Sequence, residues 1–232
     1  MIHRYLVFLT LHKPQETRVD IYTNFDNLRI HEVEGVDYRI RWRIGQSGIA
    51  ILSIHGGNIE PGTSQIADAI AGQEHTFYAL EGIKCAGNSV LHIKSTLFDE
   101  PTALQVVCQA EIIISIHGCA EMQPVLHLGG LDIDLKQRIQ ALLGQQGFHV
   151  ANATHPHFPG VDQANICNLC GRGMGVQMEI SRGLRTQMFR DLTPQGREHP
   201  TEMFHRFTQA VRDAIAPFVA VYMGYEAEES TD

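Results

Sequence analysis

Ile49-Ala50-Ile51-Leu52-Ser53-Ile54-His55-Gly56 and Ile112-Ile113-Ile114-Ser115-Ile116-His117-Gly118 decide the reading of this chain. Each is a run of apolar, mostly β-branched residues that reads as a strand covered on both faces. Each ends in the same tetrapeptide, Ser-Ile-His-Gly, so two buried strands each deliver a histidine and then a glycine at their C-terminal ends. In an open α/β sheet that edge is where ligands bind. The first copy runs on through Gly57-Asn58-Ile59-Glu60, placing a carboxylate five residues after His55. Two histidines and a glutamate make a ligand set that leaves zinc an open fourth position. The plainer alternative is that both histidines are buried, hydrogen-bonded core residues.

Working outward, further strand-like runs are Tyr5–Leu11, Tyr38–Ile44, Thr76–Leu80, Val90–Ile93, Pro124–Leu128, Phe148–Asn152 and Val176–Ile180. Gly48–Ile54 and Glu111–Ile116 are the two already described. Helical segments alternate with some of them. Ser64–Ala71 follows Pro61-Gly62-Thr63, with Thr63 as its expected N-cap. Asp132–Leu143 carries Ile133, Leu135, Ile139, Leu142 and Leu143 at helical spacing, and Gly144 is expected to end it. Thr201–Tyr222 is the longest, with Pro217 expected to kink it. The alternation predicts an α/β fold, a mixed and mostly parallel sheet flanked by helices.

The chain has 232 residues, 44% hydrophobic content and a formal net charge of −8. That length suits one buried domain over 1–232, with an acidic tail near 226–232 expected to fray. No Lys/Arg stripe points to nucleic acid. Tyr5–Leu11 is too short to span a membrane and no cleavage pattern follows, so no export signal is expected. Five dispersed cysteines do not form a secreted disulfide framework. Cys167 and Cys170 have redox or half-site metal spacing, without a second pair to complete a structural zinc site. Oligomeric state is not legible.

A second carboxylate, Glu179, sits in the strand-like Val176–Ile180 run. Burying a charge there is costly unless it is paired or functional. Facing a metal-activated water, it would act as general base; the alternative is an ion pair with Arg182 or Arg185. Arg172, Arg182, Arg185 and Arg190 concentrate positive charge in an acidic chain and suit carboxylate recognition. His92, between apolar neighbours, reads as a core residue or a neighbour of ligands rather than a ligand. The loosest stretch, Thr154–Arg172, reads as a substrate loop.

Four strings carry a resemblance: Glu34-Gly35-Val36-Asp37-Tyr38, His55-Gly56-Gly57-Asn58-Ile59-Glu60-Pro61-Gly62-Thr63-Ser64, Phe98-Asp99-Glu100-Pro101, and Gln177-Met178-Glu179-Ile180-Ser181-Arg182-Gly183-Leu184-Arg185. Together the chain resembles the poly-γ-glutamate hydrolase family of some bacteria and their phages, over roughly Glu34 to Arg185. The resemblance implies a zinc-dependent hydrolase similar in fold to the zinc carboxypeptidases. Its implied substrate is poly-γ-glutamate, an anionic polymer cut at γ-glutamyl amide bonds. His55, Glu60 and His117 match the zinc ligands and Glu179 the general base. Chemistry, rather than a motif match, adds Arg182 and Arg185 as substrate-carboxylate anchors. The implied setting is the cytoplasm or release on cell lysis. Two further readings fit the same residues: an amidohydrolase of small N-acyl or γ-glutamyl amino acids, and a non-catalytic zinc- or polyglutamate-binding protein.

Overall fold

The computed structural model describes residues 20–151 and 159–229. The expected strand Tyr5–Leu11 and the first part of the expected substrate loop, 154–158, lie outside them. One seven-stranded sheet runs in the order β1-β3-β2-β4-β7-β5-β6. Its strands are β1 (Tyr38–Arg43), β2 (Ile49–Gly57), β3 (Thr76–Gly82), β4 (Ile112–Cys119), β5 (Leu126–Gly129), β6 (Val150–Ala151) and β7 (Val176–Ser181). The central strands β3, β2, β4 and β7 are parallel, β1 is antiparallel to β3, and β5 is antiparallel to β7. This is the mixed, mostly parallel sheet that the alternation implies.

The two aliphatic runs become the adjacent inner strands β2 and β4, in register from Ile49↔Ile112 to Leu52↔Ser115. Their isoleucines are fully or almost fully buried. Each is worth about 1.5–3 kcal/mol relative to exposure, which is why these runs take the centre of the sheet. Helices cover both faces. On one face α2 (Thr63–Ala71), α4 (Ile133–Gln145), α5 (Arg182–Met188) and α6 (Glu202–Glu229) pack on Ile49, Ile51, Ile112 and Ile114. On the other, α1 (Phe25–His31) and α3 (Pro101–Cys108) pack on Ala50, Leu52 and Ile113.

Several local expectations are corrected. Val90–Ile93 is not a strand: Asn88–Leu91 forms a 3₁₀ turn. Gly62, not Thr63, caps α2; the Thr63 hydroxyl instead donates to the Glu60 carbonyl at 2.9 Å. Gly144 lies inside α4, and α6 stays helical through Glu229, into the segment expected to fray. Among the described residues no helix is long and apolar enough to cross a membrane.

The second face of β4, β7 and β5 positions the site. Along β7, Val176, Met178 and Ile180 face the aliphatic core, so Gln177, Glu179 and Ser181 face the other way. On β4 the same parity turns Ser115 and His117 to that side, and on β5 His127. Register pairs His117 with Glu179 and Glu179 with His127, so the three line up across adjacent strands. Half of the sheet is thereby walled with polar groups.

Candidate active site and metal centre

His55 and His117 stand at the C-terminal ends of β2 and β4, beyond the last paired residues Leu52↔Ser115. The chain leaves β2 toward β3 on one side, while β4 lies on the other. The crevice between them is therefore the sheet's switch point, where ligands bind in such folds. A bulge in β2 between Ser53 and Gly56 re-aims His55. Gly57 then turns at φ +63, where a Cβ would lie 2.4 Å from the Gly82 oxygen. The turn returns through a Glu60 N–H to His55 carbonyl bond of 3.0 Å, and Arg197 Nη2 donates to Asn58 Oδ1 at 2.8 Å. The five-residue offset thus folds back on itself and delivers Glu60 to His55.

The three groups converge. His55 Nδ1 and His117 Nδ1 face each other at 3.1 Å. Glu60 Oε1 is 3.3 Å from His55 Nδ1, and Oε2 is 3.9 Å from His117 Nδ1. The backbone N–H of Gly118 donates to Glu60 Oε2 at 2.8 Å, which fixes the carboxylate. All three side chains are buried. His55 Nε2 lies 2.8 Å from the Ile93 carbonyl, which can only accept. A neutral His55 therefore carries its proton on Nε2 and offers Nδ1 as a lone pair. His117 Nε2 is 2.8 Å from Ser115 Oγ, which can accept in the same way. Two lone pairs and a carboxylate aimed at one point call for a cation. The 3.1 Å separation is close to the ~3.4 Å between two nitrogens on one tetrahedral zinc.

His92 is also here, stacked on the His55 ring at 3.9 Å with planes 28° apart. Its Nδ1 is 2.5 Å from Asp20 Oδ1, and its Nε2 is 3.9 Å from Glu60 Oε1. His55, Glu60 and His92 are therefore close enough to hold an ion, but ring geometry favours His117. A metal lies in the plane of each imidazole that binds it. The planes of His55 and His117 cross at 72°. Those of His55 and His92 are stacked only 28° apart, which suits two rings sharing one ion less well. Asp20 and His92 thus brace His55 from the side.

Electrostatics follow from this packing. Burial would raise the Glu60 carboxyl, but His55, by charge and hydrogen bond, with His117 and His92, holds it well below the usual carboxylate range. Burial and then the charge of His55 push His117 down to about 3 against the pull of Glu60. Burial, then the charge of Glu60, push Glu179 well above its ordinary value, with Arg185 and Gln177 opposing. Gln177 Nε2 donates to Glu179 Oε1 at 3.0 Å. Among the described residues Glu179 makes no ion pair with Arg182 or Arg185.

The two arginines separate. Arg182, the first residue of α5, is exposed. Arg185 is buried, and its guanidinium donates to three backbone carbonyls: Ile180 at 3.1 Å, Pro61 at 2.5 Å and Cys119 at 3.0 Å. It packs so closely on Gly118 that a Cβ there would lie 2.6 Å from Arg185 Cζ. Cys167 and Cys170 are buried free thiols, and burial pushes Cys167 up to about 12, so it is no reactive thiolate.

The poly-gamma-glutamate hydrolase profile matches residues 22–210. This chain belongs to the poly-gamma-glutamate hydrolase family. Like that family, it is a hydrolase acting on amide bonds. It is 39% identical over 199 residues to the UPF0714 protein YndL of Bacillus subtilis (strain 168), covering 83% of this chain and 76% of YndL. It is 36% identical over 179 residues to the SPbeta prophage-derived UPF0714 protein YoqZ of the same organism, covering 77% and 65%. Among solved structures, a bacteriophage poly-gamma-glutamate hydrolase superposes with a TM-score of 0.84 at 31% identity, covering 88% of this chain and 100% of that one. A zinc-free apo form of YndL superposes with a TM-score of 0.81 at 37% identity, covering 85% and 98%.

Proposed function

We propose that this enzyme cleaves the γ-glutamyl amide bonds of poly-γ-glutamate with one zinc ion held by His55, Glu60 and His117 and with Glu179 as general base. The convergence of two histidine lone pairs and a carboxylate at the sheet's switch point carries this reading. The existence of YndL in a form distinguished as zinc-free supports the choice of metal. Bound there, zinc would polarise the scissile carbonyl and bring a water's pKa down to about 7.

The rest falls to the protein. Glu179 is one strand away from His117 on the same face, which suits it to take a proton from the attacking water. Oε1 is held by Gln177, leaving Oε2 for that proton, which then passes to the departing amine. A carboxylate whose pKa is raised by burial takes up a proton more readily than an exposed one. A cation bound by Glu60 would offset the repulsion from Glu60, the smaller cause after burial, and so favour the ionised form of Glu179. Arg182, exposed just beyond β7, would meet substrate α-carboxylates at the rim. Arg185 would hold the Glu60 loop against the end of β4.

Metal content, together with the size distribution of poly-γ-glutamate after incubation, tests this. One zinc per chain and shortened polymer are expected. In Glu179→Gln, metal should be retained while kcat falls about 10²–10⁴-fold. Metal-loaded, folded protein that leaves the polymer intact would refute the substrate. An undiminished rate in Glu179→Gln would refute the base.

A further inference from the structure

A second group of side chains that could hold a metal ion straddles Glu179. Cys119 ends β4, Glu121 follows it, and His127 lies on β5. One ligand atom from each lies within 4.8 Å of the others. Cys119 and His127 are buried, at 5% and 6% exposure, while the Glu121 side chain is 40% exposed at the mouth. His127 Nε2 and Glu121 Oε2 already face each other at 2.8 Å.

From this we infer that Cys119, Glu121 and His127 form a second cation site, suited to Zn²⁺, whose occupancy restrains Glu179. A thiolate, an imidazole and a carboxylate make a borderline-soft donor set that selects zinc over magnesium or calcium. Ligands on one zinc are about 3.3–3.8 Å apart, so His127 Nε2 and Glu121 Oε2, now at 2.8 Å, part slightly to admit an ion beside Cys119. The exposed Glu121 can make that shift. On binding, the Cys119 thiol proton passes to solvent as the sulfur–zinc bond forms. The mutual hydrogen bond of His127 and Glu121 is replaced by bonds to the ion, and no electrons move.

The sheet register gives the site its consequence. His117 and His127 are the two register neighbours of Glu179, one on each side. Cys119 stands two residues beyond His117 on β4 and His127 lies on β5, so the second group spans the strand that carries Glu179. A cation in the second group attracts the ionised Glu179 carboxylate and draws it from the reacting water. Zinc beyond one equivalent then slows turnover. The inhibition rests on Glu179 being the base; the binding does not.

Cobalt substitution separates the two. The first site offers only nitrogen and oxygen ligands, so the first equivalent of Co²⁺ added to the full chain should give no sulfur-to-cobalt charge-transfer band. The second equivalent should bring that near-ultraviolet band. The band should vanish in Cys119→Ser and weaken in His127→Gln. With zinc, turnover should fall as metal passes one equivalent, and Cys119→Ser should need roughly tenfold or more excess zinc for the same fractional loss. A wild-type protein that binds two equivalents without a sulfur band, or only one equivalent, overturns the site. A sulfur band without zinc inhibition keeps the site and overturns its hold on Glu179.

Discussion

Replacing Arg185 by methionine tests whether this buried cation is a strut of the site or a substrate anchor. The methionine keeps most of the apolar stem and removes the guanidinium. Three carbonyls then lose their donor: Ile180 on β7, Cys119 on β4 and Pro61 beside Glu60. The Ile180 and Cys119 bonds are buried, and the Pro61 bond is partly open to water, which can replace it. Two carbonyls left buried and unsatisfied cost about 1–3 kcal/mol each. Release from burying the guanidinium, whose pKa is lowered first by burial, offsets part of that. A net loss of about 3–4 kcal/mol remains, within the range for breaking a buried polar cluster. With a urea m-value of about 2–3 kcal/mol/M, the denaturation midpoint should drop by more than ~1 M. Zinc affinity should fall about 10–100-fold, because Pro61 and Cys119 lie within two residues of the proposed ligands Glu60 and His117. Urea titration and competition with a chelator measure both. A midpoint within ~0.3 M of the parent, with KM for the polymer raised and metal affinity intact, would refute the strut and make Arg185 a substrate anchor.

Chelation should lower the melting temperature, and zinc at about 100 times its Kd should restore about 2.7 kcal/mol, visible by calorimetry as a rise of roughly 5–11 °C; an identical melt with and without metal would contradict the ligand set. Burial, then the charge of Arg212, hold His75 below its ordinary value near 6.5, with Glu74 opposing. The unfolded chain therefore takes up that proton first, so His75 contributes its full stability above about pH 6.5 and loses it as the pH falls further. His75→Gln should flatten that part of a stability–pH curve measured by urea titration. The chain carries a net charge of −8 and its proposed polymer is polyanionic, so kcat/KM should rise with salt toward ~0.15 M as repulsion is screened. A steady fall in a salt series would instead point to a strong carboxylate-binding surface.

What the sequence disclosed divides along physical lines. Strands built from aliphatic runs, β2 and β4 above all, are legible because burial dictates their place in the sheet. Val90–Ile93 is as apolar, but Gly87 at φ +72 starts a turn and the Asn88 side chain ties back to the Lys84 backbone, so local geometry prevails over hydropathy. Three helices carried signals that hydropathy alone overlooks. Glu100 caps α3 with both carboxylate oxygens, with Pro101 as the first helical residue, and Ser181 caps α5 directly from the last residue of β7. Asn24 caps α1 in the same manner.

The candidate site shows the same division. His55, Glu60 and His117 could be named because a repeated tetrapeptide and a glycine turn are local features. Asp20 and the Ile93 carbonyl could not, because they reach His92 and His55 from distant parts of the chain, whereas Ser115 and Gln177 lie two residues from His117 and Glu179 on the same strands. One signal was readable in advance: Val176-Gln177-Met178-Glu179-Ile180-Ser181 alternates apolar and polar at period two. In a strand flanked by two others, that alternation marks one face as core and the other as a polar wall. Glu179 is therefore set by a whole face of the sheet rather than by its own motif, and its chemistry depends on what stands to either side: His117, a ligand of the proposed zinc, on β4, and His127 on β5.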